Sequence, residues 1–525
     1  MKKSVNPTRL FLLLATILVI GCSPEQAKEK GGNLKIGWAS RSITPDQPVF
    51  LSGQFYARIS EGILDPVMAT ALAMESDSGN GVIMVSCDLV SIENELRESV
   101  LLKMKQHLPE FNVNHLMINA THSHSAPFAT AQSISDVYGV DQNDLGSNVM
   151  APEDYVEFAA ERIAEACVEA WKGREISGVS YGLGHAVVGQ NRLAVYEDGS
   201  ARMYGNFNDP DFSHVEGYED HSVNLIYCFN TSKELTGVVI NVACPSQVSE
   251  HIYQVSADFW SDVREKIHEE FGRDIFVLAQ GSSAGDQSPR AHFQANAEER
   301  MQKIMGLDAD GAGQQSLARR KQLAIRIVDA VLGVYPYMED QIEWSPEFGV
   351  TAKNMSLTRR LISQEDVDYA VELAKEHADL YEKAKIEMET NDKLKEDPRW
   401  YKDVTGMYRR LQRGDATKER FELQKIERKI PFHIMVVRLG EVAIASNPFE
   451  LYVDYGIRIK ARSPAVQTFL VQLSDSKGMY LPPKRSVKGN AYGAIPASTL
   501  IGPEGGKELV EGTLEMINSL WKEEQ

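Results

Sequence analysis

The sequence predicts an α/β protein with mixed sheets, and two observations lead to that prediction. Short apolar runs rich in Val and Ile alternate with amphipathic, charge-bearing segments over most of the 525 residues. Alternation of this kind favours strands and helices that pack around one core. In addition, no Pro/Gly/Ser-rich linker separates the chain into independent halves. We therefore expect one large body rather than three domains of about 150 residues each.

The predicted elements follow one another in chain order. Apolar runs that read as strands occupy residues 34–40, 81–87, 114–120, 222–229, 237–244, 274–280, 432–439, 442–446 and 469–473. Segments that read as helices occupy residues 68–75, 93–107, 155–172, 260–271 and 505–522. Residues 363–428 are dense in Glu, Lys, Arg and Asp and contain few β-branched residues, so we expect a charged helical insertion that forms a surface layer or a lid.

The composition is that of an ordinary globular protein. Apolar residues make up 43% of the chain and charged residues 25%, which argues against a disordered chain or a multi-span membrane protein. The formal net charge is −19, from 55 Lys and Arg against 74 Asp and Glu. Because no basic patch offsets this charge, the chain would repel a phosphate backbone. No nucleic-acid partner is therefore expected.

The N-terminus predicts export and a lipid anchor. Three basic residues precede an apolar run over residues 10–20, which suits a signal peptide and is shorter than the roughly 20 residues that span a bilayer. The run ends in Val-Ile-Gly-Cys, which resembles a bacterial lipobox with Cys22 as the lipidated residue; the alternative is a plain signal peptide. We predict a signal peptide over residues 1–21, a lipidated N-terminus and tether over 22–33, a catalytic body over 34–525, and attachment in the bacterial cell envelope, at the periplasm or outer membrane.

Four further cysteines are widely spaced. Cys87, Cys167, Cys228 and Cys244 show neither a CxxC metal signature nor a disulfide framework. We expect them to be small buried hydrophobic residues, although two disulfides remain the alternative in an oxidising compartment.

Chemistry-bearing residues cluster in polar loops that follow predicted strands, where α/β sheets bind ligands. His122 and His124 lie two residues apart after the strand at 114–120, so one could bind a metal while the other contacts substrate. The other interpretation is a pair of hydrogen-bonded loop histidines. Together with His251 and Glu450, His122 could form a zinc site that leaves one position open for water.

A glycine-rich turn, GDQSP at residues 285–289, follows the strand at 274–280. Glycine lets the chain turn sharply there, so Ser288 could present an accessible hydroxyl near Asp286. The segment lacks the GxSxG elbow of the α/β-hydrolases, and an ordinary loop is the alternative.

Several motifs in order resemble the neutral, non-lysosomal ceramidases, zinc-dependent hydrolases of the N-acylsphingosine amide bond. ATHSHSAP at residues 120–127 is similar to the family's ATHTHSGP, and GDQSP is similar to its GDVSP. The remaining matches are GILDPVMATALAME at 62–75, GQNR at 189–192, SAD at 256–258, PFE at 448–450 and AYGA at 491–494. The resemblance runs from about residue 34 to 493 and implies a ceramidase-like amidohydrolase acting on a lipid-like N-acyl substrate, with Zn²⁺ as cofactor.

Carried over position by position, the resemblance implies roles for individual residues. It makes His122 and Glu450 zinc ligands and His124 a catalytic hydrogen-bonding group. It also makes Ser288, next to Asp286, the nucleophile. Arg192 becomes the cation that binds the carbonyl oxygen or oxyanion. Whether Ser288 or a water attacks stays open.

The chain also departs from the family pattern. Pro245 stands where the family has its second histidine ligand, so Glu250 or His251 could substitute, and we favour His251 because imidazole is the commoner zinc donor. In the segment that carries the tyrosine ligand, only Tyr480 is retained. About thirty residues follow AYGA, so we expect the body to lack the family's C-terminal immunoglobulin-like domain. A lipoprotein that binds a lipid or glycan without turnover is the alternative function.

Overall fold

The computed structural model describes residues 32–146, 148–307 and 315–522. The predicted signal peptide and all but the last two residues of the predicted tether lie outside these ranges. The strands are β1 (Leu34–Ser42), β2 (Met68–Ser76), β3 (Gly81–Cys87), β4 (Leu116–Ala120), β5 (Glu175–Ile176), β6 (Gly178–His185), β7 (Gln190–Asn191), β8 (Leu193–Tyr196), β9 (Ala201–Met203), β10 (Phe212–Val215), β11 (Ser222–Phe229), β12 (Leu235–Val242), β13 (Phe276–Gly281), β14 (Gln287–Ser288), β15 (Phe348–Thr358), β16 (Lys429–Leu439), β17 (Val442–Ser446), β18 (Phe449–Leu451), β19 (Gln467–Val471) and β20 (Met479–Leu481).

The helices confirm the alternation that the sequence indicates. They are α1 (Asn94–His107), α2 (Ile134–Tyr138), α3 (Gln142–Leu145), α4 (Pro152–Lys172), α5 (Phe259–Phe271), α6 (Ala295–Ile304), α7 (Gln315–Val334), α8 (Gln364–Thr390), α9 (Tyr401–Ile426), α10 (Val453–Arg462), α11 (Lys484–Gly489) and α12 (Pro503–Trp521). The charged segment around 363–428 is indeed helical, since α8 and α9 occupy it. None of the helices in the described ranges has both the length and the apolarity needed to cross a membrane.

Three mixed sheets form the body of the described residues. Their strand orders are β4-β3-β2-β1-β5, β13-β12-β11-β6 and β15-β16-β17-β19. Each contains one parallel pair, β3 with β4, β12 with β13 and β17 with β19, among antiparallel neighbours. The fold is therefore α/β with mixed sheets, as the sequence predicts.

The three sheets pack around a shared apolar core and carry helices on their other faces. Residues such as Met84, Val239 and Ile444, one from each sheet, belong to the same buried cluster. On the outer faces, α1 and α4 cover the first sheet, α5 and α7 the second, and α10 and α12 the third. The four cysteines after Cys22 are buried free thiols, which confirms their expected role as small buried hydrophobic residues.

One predicted helix is wrong. Residues 68–75 lie in β2, which is hydrogen-bonded on both edges to β1 and β3 and is buried along most of its length. Its Ala- and Met-rich sequence has high helix propensity, but the pairing of a central strand overrides that preference.

Candidate active site

The candidate site lies where the three parallel strand pairs end. The chain leaves β4 at Ala120, β12 at Val242, β13 at Gly281, β17 at Ser446 and β19 at Val471. Direct backbone bonds join these ends, for example from the Ala120 N–H to the Leu473 carbonyl at 3.2 Å. The loops that follow carry most of the sequence motifs, in agreement with the rule that α/β sheets bind ligands beyond the carboxyl ends of their strands.

His122 is the first residue with a constrained conformation after β4. Its φ of 65° lies in the left-handed region, where a non-glycine residue is uncommon and marks a position held by its surroundings. Its Nδ1–H donates to the Val90 carbonyl at 2.6 Å, so we assign the lone pair to Nε2. That Nε2 lies 3.3 Å from Glu450 Oε2.

Glu450 and Tyr480 are direct neighbours because β18 and β20 pair in parallel with these two residues opposite each other. The two residues interact electrostatically. Burial opposes ionisation of Glu450, but His122 and Arg192 outweigh it and lower its pKa, so the group is a carboxylate at neutral pH. Burial, reinforced by Glu450, raises the pKa of Tyr480.

Arg192 is the buried cation of the site. Its guanidinium donates to the Tyr204 hydroxyl at 2.9 Å, to the Gly285 carbonyl at 2.8 Å and to the Tyr480 hydroxyl at 3.3 Å. It also lies 4.0 Å from Glu450 Oε2. Burial disfavours its charge, but the surrounding hydroxyls and the carboxylate raise its pKa above the ordinary value. A fixed planar cation in a dry pocket suits the binding of a carbonyl oxygen or oxyanion.

His124 lies between His122 and Glu250. Its Nε2 is 3.3 Å from His122 Nε2, and its Nδ1 is 3.4 Å from Glu250 Oε2 without an aligned hydrogen bond. Burial lowers the pKa of His124 to about 4, which leaves a neutral ring with a single N–H for two neighbours. Because one ring nitrogen of His124 carries a proton and the other carries a lone pair, the ring can donate a proton on one side and accept one on the other.

Glu250 is an ionised partner for His124. Burial alone would raise its pKa, but the contact with His124 and the charge of Arg290 lower it to about 2. The Arg290 guanidinium forms an ion pair with Glu250. Gln54 Nε2 donates to the same carboxylate at 3.3 Å.

The structure places His251 on the outer side of Glu250. The His251 side chain is 65% exposed and lies 3.7 Å from Glu250 Oε1 and 3.2 Å from Arg290 Nη2. Among the contacts of the described residues, it has none with His122, Glu450 or Tyr480. Glu250, the residue before it, is the one that contacts His124, so the geometry offers no support for His251 as the second imidazole ligand.

Ser288 and Asp286 are buried in the turn after β13. Ser288 Oγ accepts a hydrogen bond from the Arg290 N–H at 3.2 Å, and β14 pairs Ser288 with Gln190. The Asp286 carboxylate accepts from Asn191 Nδ2 at 2.9 Å and from the Val453 N–H at 3.0 Å. Burial raises the pKa of Asp286 to about 6. These contacts give Asp286 a role in holding the turn beside Arg192.

Two residues that the sequence did not single out position the histidine loop. Arg58 is buried and donates to the Glu250 carbonyl at 2.9 Å and to the Ile252 carbonyl at 2.7 Å, and it also bonds the His124 carbonyl. Gly53 has a φ of 94°, and a Cβ there would lie 2.6 Å from the His124 ring. Neither belongs to a motif, so no local signal could have found them.

The donor set limits what metal centre this site could form. The described part of the chain has no group of three or more His, Cys, Asp or Glu side chains that could hold a metal ion. A metal would depend on two such groups, His122 and Glu450, with the phenol of Tyr480 as a third donor. The lone pair of His122 Nε2 faces a carboxylate oxygen at 3.3 Å, and two acceptors in contact need a proton or a cation between them. His122, Glu450 and Tyr480 are therefore the side chains that would hold a zinc ion with an open position.

Comparison with known proteins gives the class of fold. No protein-family model and no curated protein matches the chain. Among solved structures, it is similar to the neutral ceramidase from Pseudomonas aeruginosa, with a TM-score of 0.66 and 14% identity over 93% of this chain and 74% of that one. A ceramidase complexed with C2 matches with a TM-score of 0.64 and 14% identity, over 93% of this chain and 75% of its own. The protein therefore has the fold of the neutral ceramidases.

Proposed function

We propose that the protein is a zinc-dependent hydrolase of the neutral ceramidase type that cleaves an N-acyl amide bond. Its substrate would be N-acylsphingosine, which yields sphingosine and a fatty acid, or a related amide or ester. The main support is the contact of His122 Nε2 with Glu450 Oε2 beside Arg192 and Tyr480, in a chain with the fold of the neutral ceramidases. At 14% identity the fold alone is shared, so the substrate is part of the proposal.

In this proposal His122, Glu450 and Tyr480 hold the zinc ion. When bound, zinc supplies a Lewis acid at the substrate carbonyl and lowers the pKa of a bound water. The Val90 carbonyl fixes the His122 tautomer that leaves Nε2 free to bind, as carbonyls and carboxylates do for histidine ligands in general.

The other side chains supply binding and proton transfer. Arg192 donates to the oxygen that becomes negative as the carbonyl is attacked, and the Tyr480 hydroxyl lies next to that guanidinium. His124, whose ring is neutral at rest, accepts the proton of the attacking hydroxyl or water and passes it to the leaving amine, and Glu250 keeps the ring in place. Ser288, three residues after the Gly285 carbonyl that binds Arg192, is the proposed nucleophile, with a water as the alternative.

The proposed setting is the bacterial cell envelope. The predicted lipid on Cys22 would attach the protein to a membrane in which N-acyl lipids are dissolved, at the periplasm or outer membrane. This attachment would bring a poorly soluble substrate close to the site without a membrane-spanning helix.

Hydrolysis by the purified protein tests the proposal. The zinc-loaded protein is incubated with N-acylsphingosine, a simple N-acyl amine and a fatty acyl ester, and fatty acid release is measured. We expect turnover of at least one amide and a loss of more than about 100-fold in His122→Ala, because even residues that merely orient a metal ligand cost 10- to 100-fold. His107→Ala, at the end of α1, is the matched control and should keep full activity. No turnover of any substrate would instead favour a protein that binds lipid without hydrolysis.

A further inference from the structure

A wide groove adjoins the candidate active site. It has a volume of about 930 Å³ and lies between two segments of chain, residues 204–208 and residues 290–297. The first segment follows β9, and the second begins two residues after Ser288 and runs into α6. Its volume is at the upper end of the range of ligand sites in proteins.

The groove and the candidate site share a wall. The Tyr204 hydroxyl accepts a hydrogen bond from Arg192 inside the site, while Tyr204 itself lines the groove. The Arg290 guanidinium lies 4.7 Å from the centre of the Tyr204 ring and pairs with Glu250, which contacts His124. A molecule bound in the groove would therefore be separated from Arg192 only by Tyr204, and from Glu250 only by Arg290.

The lining combines aromatic faces with amides. Phe207 and His292 are stacked at 5.1 Å with an interplanar angle of 23°, and Phe293 is 54% exposed. Four carboxamides complete the surface, from Asn206, Asn208, Gln294 and Asn296. His292 Nε2 is buried and has no hydrogen-bond partner among the described residues. Each amide can donate and accept at the same time, which matches adjacent hydroxyl groups, and flat aromatic faces pack against the C–H faces of sugar rings.

The groove carries almost no net charge. Among the described residues that line it, Arg290 is the one with a permanent charge, and Glu250 neutralises that charge. Burial and the neighbouring arginines lower the pKa of His292 to about 4, so its ring is neutral. A phosphate group would find no unpaired cation here and would lose its hydration, whereas uncharged hydroxyl groups would exchange water for the amides.

We propose that this groove binds a neutral, hydroxyl-rich head group, so that the N-acyl substrate of the adjoining site carries a sugar. This inference rests on the proposed hydrolase function, because the acyl amide of the same molecule would occupy the site with His122 and Glu450. It adds a substrate class, the glycosylated N-acyl lipids, to that function.

Substrate preference tests the groove in the active enzyme. The value of kcat/KM is measured for N-acylsphingosine and for its β-glucoside with the same acyl chain. We expect the wild-type ratio of glucoside to sugar-free substrate to exceed about 10, and Asn206→Ala with Phe293→Ala to lower this ratio about tenfold. The control, Tyr337→Ala, removes an aromatic side chain that is 72% exposed outside the groove and should leave the ratio unchanged. An equal ratio in wild type and double variant would overturn the proposal.

Direct sugar binding separates this inference from the hydrolase function. Saturation-transfer NMR with hexyl β-glucoside, and with hexanol as the sugar-free probe, is applied to the full chain carrying His122→Ala. We expect saturation transfer to the sugar protons, and we expect this signal to disappear when Asn206→Ala and Phe293→Ala are added. That result would support sugar binding in the groove even if no amide is hydrolysed. Hydrolysis of N-acylsphingosine without any transfer to the sugar protons would reject the groove and leave the hydrolase function standing.

Discussion

Replacing Arg192 with lysine tests whether the planar shape of the guanidinium matters as much as its positive charge in this site. Lysine keeps the positive charge but cannot reach the Tyr204 hydroxyl, the Gly285 carbonyl and the Tyr480 hydroxyl together. We expect Arg192→Lys to lower kcat about 100-fold with little change in KM, because removal of one oxyanion donor has an effect of that order. The unpaired buried acceptors should also lower the free energy of unfolding by about 1–3 kcal/mol. Steady-state kinetics and urea denaturation measure both effects, and unchanged kcat would remove Arg192 from the proposed mechanism.

Asp286 should make stability depend on pH in a defined direction. Its pKa is raised by burial to about 6 in the folded state, against about 3.9 for an unfolded chain. The folded state therefore binds the Asp286 proton more tightly than the unfolded chain does. The resulting stabilisation of the folded state is complete below pH 4 and is lost as the pH rises through 6. We expect the stability of wild type relative to Asp286→Asn to fall by about 2–3 kcal/mol between pH 4 and 7. Urea denaturation with a chelator present measures the difference at each pH; a constant difference would contradict the assignment.

Residues in short motifs were easier to predict than their partners. His122, Glu450, Arg192 and Tyr480 all come from motifs, and the structure brings them together. The choice of His251 over Glu250 followed donor frequency, whereas the fold buries Glu250 against His124 and exposes His251. Which of two adjacent side chains points inward depends on the loop and on Arg58, and sequence spacing does not contain that information.

At the scale of elements, the turn after β13 and the strand β18 approach each other closely. A Cβ at Gly285 would lie 2.2 Å from the Glu450 backbone oxygen, and a backbone atom cannot move away as a flexible side chain can. We expect Gly285→Ala to displace Glu450, lowering activity more than tenfold and the free energy of unfolding by about 1–3 kcal/mol.

The matched control for this variant is Gly333→Ala in α7. Nothing lies within 4 Å of a Cβ at Gly333, so alanine there should be neutral or slightly stabilising, by up to about 1 kcal/mol. Thermal denaturation and hydrolysis assays of the two variants provide the comparison. Equal stability and equal activity of the two variants would show that the close approach of Gly285 to Glu450 does not matter for function.

Elements with distinct patterns were predicted well, and one with ambiguous composition was not. The strands β11 and β17 coincide with their predicted ranges, because β-branched residues and buried runs point the same way. In β2, alanine and methionine favour a helix, and only its position between β1 and β3 makes it a strand. The pairing of β2 with β1 and β3 is a tertiary contact, and local propensity does not take it into account.

The helical insertion was predicted from its charge as a surface layer or a lid, but the residues through which it contacts the site were not. Arg413 of α9 lies 4.8 Å from the centre of the Phe55 ring and 5.2 Å from that of Tyr492. The Tyr492 ring in turn lies 5.8 Å from that of Tyr480. The insertion thus forms part of the wall around the candidate site.

At the scale of the whole molecule, three sheets with one shared core bring distant motifs together. His122 follows β4 and Glu450 follows β17, more than 300 residues later in the chain, yet their side chains lie 3.3 Å apart. A likeness to neutral ceramidases at 14% identity fits this arrangement, since the sheets set where the loops begin. The net charge of −19 provides no attraction to an anionic membrane, so attachment would depend on the proposed lipid at Cys22.

Zinc dependence of amide hydrolysis is the most direct test of this account. The purified protein is stripped with a chelator, the bound zinc is quantified, and fatty acid release from N-acylsphingosine is followed as zinc is added back. The account predicts that activity disappears on stripping and returns in proportion to zinc, up to one ion per chain, and that Glu450→Gln neither retains the ion nor recovers activity. Hydrolysis at full rate without zinc, or one tightly bound zinc in Glu450→Gln, would contradict the proposed centre.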